Sequence, residues 1–592
     1  MKRLLELRKL MSERNISAYI VCTDDFHGSE YVGGYFKLRE YLSGFTGSAG
    51  TLAVTLDNAA LWTDGRYYIQ AENELSGSRI KLMKSGEKGT PSIEEFLAEK
   101  LPDGAVIGFD GRAVSAGFAE KLLKALASKG ITARSDEDLG GMVWDKLGGR
   151  PGLSCEPVFE LPESVCGFSA SQKIEKIREK LKKERAECLA ISALDQIAWI
   201  LNLRGNDIEF NPVFLSYMII STDEVLLFAN EKIFPGNIAG KLEKNGVKIL
   251  GYNDIYNDEI WHYKTVWLDS GEVNFRLKNT VRDHCEIIDK KSPVSLMKAI
   301  KNPAEIKAVK AAHLLDGIAV TRFMYWLKHS VGKERITEIS AAEKLEEFRR
   351  MSADHFGESF APIMAYGEHG AIVHYSATEE TDAELQPRGM LLSDTGGHYL
   401  GENAAGTTDI TRTFVLGELT ETERKAFTIV LASHLELLRA IFPKGVRGSV
   451  LDGIAHRPMW QCGMDFNHGT GHGVGFMLNV HEGPQRISWR AAGDAPLEEG
   501  MITSDEPGYY VEGKFGIRHE SLLLCWRSYM SGFLHFIPLT LVPFDRDGID
   551  PELLTAEQRG YLNDYHAMVF DKISPYLPTE EAEWLKKITE PI

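Results

Sequence analysis

Long apolar runs are missing from this chain of 592 residues. A membrane-spanning helix needs about 20 consecutive apolar residues, and every candidate is interrupted, as proline and polar residues interrupt FLHFIPLTLVP (533–543). The opening MKRLLELRKLMSERN places Glu, Lys and Arg among its leucines. It therefore lacks the unbroken core of a secretory segment and is expected to form a surface helix with Leu4, Leu7 and Met11 turned inward. Cysteine is scarce: seven, at 22, 155, 166, 188, 285, 462 and 525. An odd number without close pairs suggests neither a zinc knuckle nor a disulfide framework, and it fits the reduced thiols of a cytoplasmic protein. Basic residues are outnumbered, 67 against 85 acidic, for a formal charge of −18. That balance argues against a nucleic-acid surface and against anionic membranes. A phosphate loop is also absent, because FTGSAG (45–50) lacks the terminal GK[ST] and reads as a glycine-permitted turn.

What is present is the composition of a globular protein, 43% hydrophobic and 26% charged. The length exceeds what a single core usually supports, so several domains are expected. Residues 1–155 alternate short apolar strands (17–23, 51–56) with helical stretches (92–99, 115–128), an α/β pattern. A Pro/Glu/Gly-rich passage at 148–167 marks the first boundary. Ser169 and Gln172 then form a helix start. The order of the first domain repeats over 156–300, with AWILNLRG (198–205) read as strand-like. At 301–327, Asn302, Pro303 and Glu305 open a long amphipathic helix, and further helices are expected at 337–350 and 423–442. These surround strand-rich segments, predicting an α+β domain over 301–540 built on a mostly antiparallel sheet. Residues 541–592 read as a helical extension packed on that domain.

Five side chains with metal-binding chemistry lie between 394 and 520. They are Asp394 in DTGGHY, Asp409 in GTTDITRT, His472 in HGTGHGVG, Glu506 in DEPGYY and Glu520 in GIRHE. Taken singly each is weak. Asp394 or Asp409 is as easily a turn aspartate, and the His468/His472 pair alone would more often be structural. As an ordered set, four carboxylates and one imidazole suit two close divalent ions better than one structural zinc. Two such ions can supply a hydroxide at neutral pH and hold both ends of a displacement. The Thr/apolar alternation around Asp409 and the glycines at 396, 397 and 401 predict strands joined by turns, bringing Asp394 beside Asp409. Glu506, before Pro507–Gly508, is expected at a strand end.

These motifs resemble the metal-dependent pita-bread peptidases, and within them the long Xaa-Pro aminopeptidases. HYSATEETD (374–382), NVHEGP (479–484), SEYVGGYFKLREYLSGFTGSAG (29–50), WTDGRYYIQA (62–71) and the closing EWLKKITEPI extend the resemblance over nearly the whole chain. It implies a multidomain α+β protein, with two N-terminal creatinase-like domains, a pita-bread catalytic domain and a C-terminal extension. It implies a two-ion site in which Asp409 and Glu520 bridge, Asp394 completes one shell, and His472 with Glu506 completes the other. Manganese is favoured by the oxygen-rich shell, with cobalt or zinc as alternatives. The nucleophile would be a metal-bridging hydroxide whose proton Glu506 accepts. His374, His468 and His481 would line the substrate cleft, and Tyr510 and Arg518 would link ligands to substrate or water. The implied reaction is hydrolysis of the first peptide bond of peptides with proline second, by a cytoplasmic homodimer. A prolidase restricted to dipeptides is the alternative, disfavoured by the long C-terminal part and by HGTGHGVG. The sequence departs from the family pattern at GENAA (401–405), which lengthens the interval between the two aspartates, and at DTG, where DSG is frequent.

Overall fold

Strands of three to six residues, many of them apolar, alternate with short helices through the first 290 residues, and they build two six-stranded sheets of the same design. In the computed structural model, which describes residues 2–490 and 494–592, both belong to one unit of residues 1–161 and 168–294. In the first sheet, Ala18–Cys22 lies at the centre, antiparallel to Thr51–Thr55 on one side and parallel to Val106–Gly108 on the other. In the second, Cys188–Ile191 holds the same place between Ser216–Ser221, antiparallel, and Thr265–Leu268, parallel. The repeat expected from sequence is thus a repeat of topology. The opening helix, Lys2–Glu13, buries Leu4, Leu7 and Met11 as its periodicity predicted.

One reading is corrected here. The first half of AWILNLRG is helical: Leu194–Leu201 forms a helix that ends on Asn202 at φ 54°, and only Leu203–Arg204 is extended. Seven of that helix's eight residues are buried. A short, mostly apolar run looks the same in sequence whether it forms a buried helix or a buried strand.

The second unit comprises residues 162–167 and 295–592. Helix Pro303–Ser330 opens on a full capping box, with Asn302 accepting from the N–H groups of Ala304 and Glu305 while Glu305 returns to the Asn302 N–H. Such a cap is worth about 1 kcal/mol. Three antiparallel strands, Ile363–Tyr366, Met390–Thr395 and Ile410–Val415, form one sheet. Six more, also antiparallel, run in the spatial order Ile441–Pro443, Phe533–Pro538, Ser521–Arg527, Ile502–Asp505, Gly471–Gly473, Glu482–Ile487. A hairpin of Gly508–Val511 and Phe515–Arg518 lies between them in sequence. The helix expected through 442 stops at Leu438, and Ile441–Pro443 becomes an edge strand. Pro443 disfavours helical geometry in the residue before it. Helices Ala556–Ile573 and Thr579–Ile588 close the chain. Their Leu562, Tyr565, Val569 and Leu585 share one core with Ala426, Phe427 and Val430 of helix Glu421–Leu438, so the extension does pack on this domain. Among the described residues, no helix is long and apolar enough to cross a membrane.

Candidate metal centre

The antiparallel pair Met390–Thr395 and Ile410–Val415 sets Asp394 opposite Thr411, so Asp409 stands just before the neighbouring strand. The residues between them fold away as a second hairpin, Gly397–Leu400 with Ala405–Thr407. Residues 401–404 of the extra GENAA form its tip, where the Gly401 N–H donates to the Ala404 carbonyl at 2.7 Å. The larger sheet supplies the other donors. His472 lies in Gly471–Gly473, Glu506 directly follows Ile502–Asp505, and Glu520 sits between Arg518 and Ser521 at a strand junction. The two halves meet at Thr411. Its carbonyl accepts the Glu520 N–H at 3.0 Å, and its hydroxyl donates to Glu520 Oε2 at 2.9 Å.

Donor atoms of Asp409, His472 and Glu520 all lie within 4.8 Å of one another. His472 Nε2 is 3.4 Å from Asp409 Oδ2 and 3.4 Å from Glu506 Oε1. Its Nδ1 faces the Gly473 carbonyl at 3.0 Å. A carbonyl only accepts, so Nδ1 carries the hydrogen and Nε2 is left as a ligand atom. Arg518, 1% exposed, donates Nη2 to Asp394 Oδ2 at 2.5 Å and Nη1 to the Tyr510 hydroxyl at 2.8 Å. The other Asp394 oxygen, Oδ1, is buried and has no hydrogen-bond partner.

Four carboxylates thus converge, with Arg518 as their close guanidinium partner. Burial pushes Glu506 up to about 7, lifts Glu520 well above the usual carboxylate range, where Asp409 and Glu506 add to it, and raises Asp394 against the opposing pull of Arg518. For His472, burial acts downward, but the Asp409 hydrogen bond and the Glu506 charge outweigh it and hold the ring up at about 9. An excess of buried negative charge with an orphaned carboxylate oxygen is what divalent cations neutralise. The donor set therefore fits the two ions expected from sequence.

A linkage prediction follows for the metal-free protein. Glu506 moves from 4.5 to about 7 and His472 from 6.5 to about 9 on folding, so each holds its proton more tightly when folded. Their stabilising contribution is complete below the unfolded values and is lost as pH rises through the folded ones. The metal-free protein should lose thermal stability between about pH 5 and 9, whereas the metal-loaded protein should not. Loading Mn²⁺ should release protons, which calorimetry in buffers of different ionisation enthalpy measures directly. Uptake with no proton release would show that these groups are already deprotonated.

The remaining residues expected in the site are also placed by the structure. His468 Nδ1 faces the Gly469 carbonyl at 2.8 Å, and its Nε2 meets the Tyr510 hydroxyl at 2.8 Å. The His481 ring stands edge-on to His472, centroids 4.4 Å apart. His374 follows Val373, whose carbonyl accepts from Arg518 at 3.4 Å. Tyr510 is raised to about 12 by burial. Two contributors were missed by sequence reasoning. Thr411 also bonds to Arg518 Nε at 3.2 Å; its position two residues beyond Asp409 in a strand was the available signal. Glu482, beside His481, is buried between Lys298 and Lys301 at 2.7 Å each, and Lys301 also donates to the Val474 carbonyl at 2.7 Å. No local pattern announces that pair.

Comparison with known proteins agrees with this geometry. The model of metallopeptidase family M24 matches residues 307–526, and that of the C-terminal region of peptidase M24 matches 532–592. Creatinase/prolidase N-terminal domain models match twice, at 3–137 and 149–305. Xaa-Pro aminopeptidase 1 of Dictyostelium discoideum is 39% identical over 614 aligned positions, covering 100% of this chain and 96% of its own. The chain belongs to the Xaa-Pro aminopeptidase family of M24 metallopeptidases. A probable Xaa-Pro aminopeptidase P of Fusarium vanettenii is 38% identical, covering 99% of this chain and 98% of its own. Among solved structures, the X-prolyl aminopeptidase of Caenorhabditis elegans, described as a cytosolic enzyme with a di-nuclear active site, superposes with a TM-score of 0.95. It is 33% identical, and the match covers 100% of this chain and 99% of that one. The Xaa-Pro dipeptidase of Bacillus anthracis, at 22% identity and a TM-score of 0.52, covers 64% of this chain and shares the fold. As the resemblance implied, this M24 protein has a multidomain α+β architecture with two N-terminal creatinase-like domains, a pita-bread catalytic domain and a C-terminal extension.

Proposed function

We propose that this chain is a metal-dependent aminopeptidase that releases the first residue of peptides whose second residue is proline. The observation that carries the metal dependence is the convergence of Asp394, Asp409, His472, Glu506 and Glu520, with an orphaned buried oxygen on Asp394. These five would hold two divalent cations, manganese in the active form, with Asp409 and Glu520 shared. Such ions supply Lewis acidity toward a peptide carbonyl and bring the ionisation of water near neutral pH. The full-length likeness to Xaa-Pro aminopeptidases supports the choice of bond.

The chain's own residues then have distinct tasks. Glu506, raised to about 7, is suited to take a proton from the attacking water and return it later. Proline's peptide nitrogen carries no hydrogen, so its departure requires a proton. His468, Tyr510 and Arg518 form a donor chain: Arg518 donates to the Tyr510 oxygen, which donates to His468 Nε2. On this reading His468 and His481 face the proline ring and the following chain, and His374 orients the peptide and moves protons. The free amino group lies toward the carboxylate end, which sets cleavage one residue from the N-terminus. The negative net charge supports a role without nucleic acid. A cytosolic address, as described for the C. elegans enzyme, and a homodimer complete the reading.

A peptide panel tests it. X-Pro-Y and longer unblocked peptides should release free X, with X-Ala-Y slower by roughly 100-fold and N-acetylated peptides hardly cleaved. Mass spectrometry of the products decides. Efficient cleavage of X-Pro with almost none of X-Pro-Y would make the protein a prolidase, and cleavage further inside the peptide would overturn the register.

A further inference from the structure

The segment that carries His374 is irregular. Gly367–Ala371 is a short 3-10 turn, and the chain then runs to 383 with little regular structure. Irregular chain is ordinarily the least precisely held part of a domain, yet this one is tied to a single buried carboxylate. Glu338, the first residue of helix Glu338–Arg349, has no exposed surface. Its Oε1 accepts the Tyr366 N–H at 2.7 Å and His369 Nδ1 at 2.8 Å. Its Oε2 accepts the Tyr375 hydroxyl at 2.8 Å and the Ala383 N–H at 3.1 Å. Four donors saturate the carboxylate, and they come from both ends and the middle of one segment. The His369 and Tyr375 rings stack on each other, centroids 4.5 Å apart.

His374 is therefore held on both flanks. On one side the Val373 carbonyl meets Arg518, which also grips Asp394. On the other, Tyr375 is anchored to Glu338. Gly370 packs against the strand that carries Arg518: a Cβ on Gly516 would lie 1.7 Å from the Gly370 carbonyl oxygen, so both glycines are needed for the approach.

We propose that Glu338 is a positioning residue for the peptidase reaction, fixing His374 through Tyr375, His369 and the backbone of 366–383. The inference rests on the reading of His374 as a substrate-contacting group. Tyr375 transmits the constraint because it adjoins His374 and its buried hydroxyl lies closer to Glu338, at 2.8 Å, than to the Thr381 hydroxyl, at 3.2 Å. His369 adds a ring donor: its hydrogen bond to Glu338 raises it above the ordinary histidine range, with burial opposing.

Glu338→Gln tests this with the volume unchanged, since one carboxylate oxygen becomes an NH₂ facing existing donors. The full-length metal-loaded enzyme should keep its metal content while kcat/KM on an X-Pro-Y peptide falls about 10–100-fold, the range of other outer supports, with the loss mainly in kcat. In a His374→Ala background, the same substitution should change kcat/KM by less than about 2-fold, because residues acting through one another are not additive. Tyr375→Phe removes a single hydroxyl from the same hub and covers the case in which Glu338→Gln does not fold. It should give a smaller loss, again absent without His374. A full effect of either substitution in the His374→Ala background would make Glu338 a structural residue only, as would wild-type kinetics of both. Wild-type kinetics of His374→Ala alone would remove the catalytic reading of His374, and the positioning role with it.

Discussion

Glu520→Gln is expected to abolish turnover, lowering kcat/KM by more than the roughly 100-fold seen when outer supports of metal ligands are removed, while leaving the metal-free protein as stable as before or more so. The two halves of this result have one cause. Glu520 is 1% exposed and held well above the usual carboxylate range, first by burial and then by Asp409, Glu506 and Asp394. A neutral amide of the same shape removes that cost and can still accept the Thr411 hydroxyl bond. What it loses is the anionic charge through which one side chain can serve two cations. Thermal unfolding with and without Mn²⁺ separates the halves. A ligand present at 100 times its Kd adds about 2.7 kcal/mol to the wild type, and that increment should vanish in the variant. Normal metal content with normal turnover would remove Glu520 from the shared-ligand position.

The second large effect is expected at Arg518. Its guanidinium serves Asp394, Tyr510, Thr411 and the Val373 carbonyl. It therefore joins the Asp394 carboxylate, the Tyr510–His468 pair and the His374 segment. Arg518→Met fills similar space but leaves Asp394 buried beside the other acids without its partner. Breaking a buried pair in this way costs about 3–5 kcal/mol, so the transition of the catalytic unit should fall by on the order of 10 °C in the metal-free state. Metal should restore part of the loss, because a cation again stands near Asp394. Arg518→Lys keeps the charge but not the planar fork that reaches several acceptors together, and its stability and kcat/KM should fall between wild type and Arg518→Met. An unchanged melting temperature and turnover in Arg518→Met would mean that Asp394 does not depend on it.

Read alone, the sequence determined those features that depend on local chemistry. Ser169 with Gln172 and Asn302 with Glu305 are capping boxes in the sequence and in the fold. A cap needs only four consecutive residues. The donor types of the metal centre were equally legible, because four carboxylates and one imidazole prescribe hard divalent cations whatever their arrangement. Helix Leu194–Leu201 was not legible: eight mostly apolar residues are too few for periodicity to separate a buried helix from a buried strand. Nor was the way the centre is held. Asp394 owes its grip to Arg518, 124 residues later in the chain, and Glu520 owes its to Thr411, 109 residues earlier. Glu482 is buried between Lys298 and Lys301, residues that lie far before it. Such pairings arise only when segments far apart in sequence are brought together, and the burial that makes them strong exists only in the packed molecule. Tertiary structure thus decided which carboxylate takes the buried arginine, which carboxylates face one another, and which irregular segment is tied to a buried glutamate.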